Sequence, residues 1–214
     1  MRRLFEAGGY VAAVVLIAFG VTALVLGIGA RSDIRTSLAA EQVTGTPDMT
    51  PTAIRDEVKK AGITVKDLPT EAVAGEVIDT GGEARIFAQY MRVHALEATG
   101  GRVYSEMARF LTAAGDETND PAKAAKDANG QPMPNQARDI WVTENALATA
   151  LNVSFFGEQV ASFSLLVALA LIIAGIGFGT LAFSAFRWLP ARAVVRSDAD
   201  RPTAKDERST GPSE

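Results

Sequence analysis

The chain contains one histidine, His94, and no cysteine. Without cysteine there is no disulfide, no thiolate nucleophile, no iron–sulfur cluster and no cysteine-based zinc site. His94 is followed at i+3 by Glu97, and Glu106 lies on the next expected helix. One imidazole with one or two carboxylates is a candidate metal site. The plainer and preferred reading is a half-buried histidine among Phe87, Tyr90 and Met91 that finds one hydrogen-bond partner. A single histidine cannot build the two-histidine, one-carboxylate triad of non-haem iron oxygenases. No catalytic residue, cofactor or metal is therefore assigned, and His94, Glu97 and Glu106 stand as the weak candidates.

Two further motifs have both a functional and a plain reading. Thr80-Gly-Gly before a helix offers free N–H groups to an anion, yet it matches neither phosphate-loop nor dinucleotide patterns. Thr80 with Glu83 three residues on makes a capping box instead. Gly175 and Gly179 form GxxxG, and Ala23 with Gly27 gives a small-xxx-small pair. Small residues let helix backbones approach closely in lipid. The favoured reading packs these two segments on each other, and a homodimer through the same glycines is the alternative.

The elements that must position these residues begin with two uncharged runs. Val160 to Phe186 is 27 residues long and Ala7 to Ala30 is 24. As helices they measure roughly 40 and 36 Å, enough for the roughly 30 Å hydrocarbon layer of a bilayer. A helix satisfies its own backbone polar groups, which lipid cannot do. The first run is too long for a cleaved signal peptide and lacks a good A-x-A site, so it reads as an uncleaved signal anchor. Neither run contains Asp, Glu, Lys, Arg or His, which argues against a transporter or channel.

Charge sets the orientation. Arg2, Arg3, Arg187, Arg192 and Arg196 flank the terminal side, with Arg31 and Arg35 on the other. The positive-inside rule then places residues 1–6 and 187–214 in the cytoplasm and 31–159 outside, with Tyr10 and Trp188 as interfacial aromatics. The outer segment holds 13 Lys/Arg against 19 Asp/Glu. Such an acidic balance excludes nucleic acid as a partner.

Within 31–159 the pattern is helical. Residues 33–43 can continue the first span until Gly45 and Pro47 stop it. Thr50-Pro51 opens a short helix that ends at Gly62. A helix from Thr80 runs to about Ala98 and breaks at Gly100-Gly101. A further helix is expected over Arg102–Ala114, with Val103, Tyr104, Met107 and Leu111 on one face, packed as a hairpin on its predecessor. Residues 112–139 have only Met133 as a large apolar side chain and read as a mobile loop. From Ile140 one long helix enters the second span. Residues 197–214 read as a disordered tail. The fold class is an all-α membrane protein: two transmembrane helices forming a hairpin, with an extracytoplasmic helical insertion of roughly 80–100 ordered residues, enough for one small core.

Three stretches carry a resemblance: Thr44-Gly-Thr-Pro-Asp-Met-Thr50, Tyr90-Met-Arg-Val-His-Ala-Leu-Glu-Ala-Thr-Gly-Gly101, and Ile140-Trp-Val-Thr-Glu-Asn-Ala-Leu-Ala-Thr-Ala-Leu151. In these, and over most of residues 1–186, the chain resembles a family of two-span actinobacterial membrane proteins often labelled aromatic ring-opening dioxygenase, small subunit. The resemblance implies an envelope protein and supplies no catalytic residue. It points to helix 83–98, the Gly-Gly break and the Trp141 segment, with Tyr90, Arg92 and Trp141 as the partner surface. The expected function is non-enzymatic: an outer lobe that binds a protein partner or stabilises a membrane complex. The alternative is an enzyme or accessory subunit using His94 with Glu97 or Glu106.

Overall fold

The computed structural model describes residues 2–188, with side chains for 7–184. The expected disordered tail, and the cationic side chains of Arg2, Arg3, Arg187, Arg192 and Arg196, lie outside the described residues. The described chain is predominantly helical: α1 (Arg2–Ala40), α2 (Pro51–Ala61), α3 (Gly81–Ala98), a 3-10 turn at Tyr104–Glu106, a two-residue antiparallel ladder β1 (Phe110–Leu111) and β2 (Glu117–Thr118), and α4 (Gln136–Trp188).

Helices α1 and α4 are both long and apolar enough to cross a membrane. At 39 and 53 residues they measure about 58 and 80 Å. They pack antiparallel along a seam of small residues. A methyl group added at Gly20 would lie 2.7 Å from Ile172 Cγ1 and 3.0 Å from the Ala168 carbonyl oxygen. One added at Gly27 would lie 3.0 Å from Leu165 Cδ2, and one at Gly175 only 2.6 Å from Ile17 Cγ1. Where the two helices run side by side, the buried small residues are Ala13, Gly20 and Gly27 on α1, and Ala161, Ala168, Gly175 and Ala182 on α4. Each set recurs every seven residues, the period that keeps one stripe facing a partner helix. Gly175 and Gly27 both lie on this seam. Gly179 makes only an ordinary contact, 3.6 Å from Ala13 Cβ, and Ala23 is half-buried. Because the seam is filled within one chain, a homodimer through the same glycines would have to displace it.

The lobe grows from the ends of α1 and α4. Thr50 caps α2 by accepting from Ala53 N, Pro51 occupies the first turn, and Gly62 ends it in the left-handed region. Thr80 and Glu83 form the reciprocal capping box of α3. Backbone pairing fastens 43–49 to 73–78: Gly45 N donates to the Glu76 carbonyl at 2.9 Å and Ile78 N to the Val43 carbonyl at 2.9 Å. Gly45 passes so close to Val73 that no side chain fits. The core gathers Leu38, Met49, Ile54, Val73, Ile78, Tyr90 and Val93, drawn from α1, both paired segments, α2 and α3.

Two expectations are corrected. Residues 102–114 are not a helix, and no α3 hairpin forms there. Gly100 and Gly101 both take positive φ, 64° and 78°, and turn the chain away. Met107 is buried against Trp141 and Ala95, while Val103 and Tyr104 stay exposed, so the apolar spacing is shared between a 3-10 turn and an extended segment. Residues 112–135 are a set of hydrogen-bonded turns in place of a loose loop, and 136–139 belong to α4. Asn135 holds them: its Nδ2 donates to the Ala108 carbonyl at 3.0 Å and to Glu117 Oε1 at 2.8 Å, and its Oδ1 caps Ala137 N. The Ala108 N–H, with Asn135 and Arg102, keeps the Glu117 carboxyl below its usual range.

Candidate functional site

The lobe's polar chemistry gathers where α2, α3 and the 43–49 segment meet. His94 Nδ1 lies 2.9 Å from Glu57 Oε1, and Nε2 lies 3.6 Å from Asp48 Oδ2. One ligand atom from each of Asp48, Glu57 and His94 lies within 4.8 Å of the others. Glu97 joins the group through a hydrogen bond with Glu57. That bond, more than burial, raises the Glu97 carboxyl above its usual range. The sequence therefore paired His94 with the wrong partners in part. Glu106 is elsewhere occupied, its Oε2 accepting from Val103 N at 2.9 Å. Asp48 and Glu57 went unrecognised because each lies more than 30 positions from His94, and only tertiary packing joins them.

The expected partner surface is also redrawn. Tyr90 is fully buried, and its hydroxyl donates to the Glu71 carbonyl at 2.8 Å. Trp141 is buried too, and Arg92 lies over its ring at 4.5 Å. Both face inward because they stand on the helix sides that α3 and α4 turn to the interior. Arg92 fastens α3 to α4, with Nη1 3.1 Å from Glu144 Oε2 and Nη2 donating to Asn145 Oδ1 at 2.9 Å.

Glu144 is 4% exposed, and neither of its oxygens accepts a well-formed hydrogen bond among the described residues. Burial pushes its carboxyl above the usual range, and Arg92 offsets this in part. A carboxyl raised on folding binds its proton more tightly in the native state. Stability is then lost as pH rises from the ordinary value of 4.5 through the folded one. Glu144→Gln is expected to unfold at higher temperature than the parent protein near pH 7, and to match it near pH 4. Thermal denaturation at the two pH values reads this directly.

Beside these groups an apolar groove follows α4. Its outer part, about 640 Å³, is lined by Met91, His94, Ile140, Glu144 and Leu147, among others. Its inner part, about 650 Å³, is lined by Leu38, Val43, Phe87, Met91, Leu147 and Leu151, among others. Met91 and Leu147 border both, so the two run together between α3 and α4. Acidic groups rim it: Glu41 at one end and Asp139 at the other.

The N-terminus of α3 does hold an anion, and the anion belongs to the chain. Glu158 Oε2 accepts from Gly81 N at 2.8 Å, while its Oε1 pairs with Arg31 Nη2 at 3.0 Å. Glu158 lies 77 positions from Gly81, so no local spacing joins the two. No family model, no curated protein and no solved structure matches this chain.

Proposed function

We propose that the chain is an integral protein of the plasma membrane, with both termini in the cytoplasm and residues 31–159 outside as a non-enzymatic binding lobe. The observation that carries the reading is the outer surface of the two long helices. Phe19, Leu26, Phe163, Leu166 and Leu181 are each 66–68% exposed, a continuous apolar surface that water disfavours and lipid solvates. The Arg31–Glu158 pair is where charge first appears beside this surface and the lobe begins. The resemblance to actinobacterial envelope proteins fits this placement, and the lipid bilayer is then the first partner.

The second partner is a protein of the membrane or envelope. Within the lobe, Ile140 and Leu147 line the groove yet are 42% and 48% exposed. An apolar helix with basic flanks suits both that surface and the acidic rim. The reading of His94 as the centre of an enzyme or accessory subunit now rests on Glu57 and Asp48 beside Glu97, and no longer on Glu106.

Carbonate and high-salt washes are expected to leave the protein in the membrane pellet. A periplasmic reporter is expected to be active after Gly130 and silent after Thr210. The reverse pattern overturns the orientation, and release by carbonate overturns the insertion. For the lobe, crosslinking in intact cells is expected to join the parent protein to a membrane protein and to fail with Leu147→Asp. Equal crosslinking by both removes the groove from the argument.

A further inference from the structure

We propose that Asp48 and His94 bind one divalent metal ion, with Glu57 holding the imidazole from behind. The inference does not depend on the membrane reading. Its first support is the orphaned ring nitrogen. Nδ1 is engaged by Glu57 Oε1 at 2.9 Å, so with Nδ1 donating, Nε2 carries the lone pair. Nε2 is buried and has no hydrogen-bond partner among the described residues. The nearest carboxylate oxygen, Asp48 Oδ2, stands at 3.6 Å, beyond a hydrogen bond. Two ligands of one ion, each at about 2.1 Å, subtend about that separation. A histidine backed by a carboxylate through its other nitrogen is the usual arrangement for a metal-binding imidazole.

The second support is charge. Asp48 and Glu57 face one imidazole, Glu97 stands beside them, and the positive charge of Lys60 acts on Glu97. Even a protonated His94 leaves the cluster negative. The ligand atoms come from the 43–49 segment and α3, and Glu57 on α2 backs the imidazole. An ion there cross-links parts of the lobe that no disulfide joins. One imidazole among carboxylates selects zinc- or manganese-type ions over calcium, with water completing the coordination.

The test uses the full-length protein, purified in detergent without a histidine tag and stripped with chelator. Titration with Zn²⁺, and separately Mn²⁺, is followed by equilibrium dialysis and by thermal unfolding. The expected result is one ion per chain and a raised unfolding temperature. His94→Gln and Asp48→Asn are expected to abolish both, and Glu57→Gln to weaken binding about 10- to 100-fold. Glu106→Gln, on the separate 3-10 turn, is expected to bind as the parent does. Asp48 is 48% exposed, so its variant folds even where His94→Gln does not. No saturable binding, or equal binding by the parent and Asp48→Asn, overturns the site.

Discussion

Ala13→Cys combined with Gly179→Cys is expected to form a disulfide within one chain on mild oxidation. The Cβ position at 179 lies 3.6 Å from Ala13 Cβ, inside the 3.5–4.5 Å range that a disulfide spans. The chain has no native cysteine, so the background is clean. With a protease site inserted at Gly130, cleavage is expected to leave two fragments joined without reductant and separate with it. Val14→Cys with Gly179→Cys is the control, because Val14 is 67% exposed and points off the seam. Adding Gly175→Leu is expected to abolish the intrachain product. Even its first carbon would meet Ile17 Cγ1 at 2.6 Å and the Ala13 carbonyl oxygen at 3.0 Å. A backbone atom cannot yield as a side chain can, and overpacking of this kind costs about 1–3 kcal/mol or more. A product linking two chains in place of one would show that the seam belongs to a dimer.

Glu158→Ala is expected to destabilise the lobe by several kcal/mol at most and about 1 kcal/mol at least. Its carboxylate is the acceptor for Gly81 N and the partner of Arg31, so α1, α3 and α4 meet on it. A methyl group at Gly81 would lie 2.8 Å from Phe155 Cα, so α3 begins hard against α4 and no water replaces the lost oxygen without separating them. A buried N–H left without an acceptor costs about 1–3 kcal/mol, and losing the anion at the helix N-terminus adds about 0.3–1 kcal/mol. Glu158→Gln keeps an acceptor for Gly81 and gives up only the ion pair. Arg31 is 44% exposed, so that pair is screened and contributes under about 1 kcal/mol. The prediction is therefore an ordering, with the parent close above Gln and Gln well above Ala, read from unfolding midpoints in one detergent. Equal midpoints for the Ala and Gln variants would show that α3 does not depend on this carboxylate.

The two cases divide by range of interaction. What the amino-acid order determined by itself was local. Uncharged runs long enough for a span, Thr50 and Thr80 as caps, Pro51 in a first turn, and Gly62 and Gly100 as stops all act within four or five residues. Backbone hydrogen bonding and side-chain size decide such features without outside help. Even the seam was partly legible, since Gly175 and Gly27 announce close approach. Its small residues recur every seventh position, a period that a GxxxG spacing of four does not express.

Tertiary structure alone decided the rest. Residues 102–114 have helical spacing, yet Met107 is drawn to Trp141 and Asn135 takes the Ala108 carbonyl, so remote contacts outweigh a weak local preference. Tyr90 and Trp141 looked available to a partner until α2, α3 and α4 closed over them. Asp48 and Glu57 reached His94, and Glu158 reached Gly81 across 77 positions, through the folding of segments that carry no trace of one another. A carboxylate finds its donor by distance in space, and sequence separation sets only the entropy lost in bringing them together.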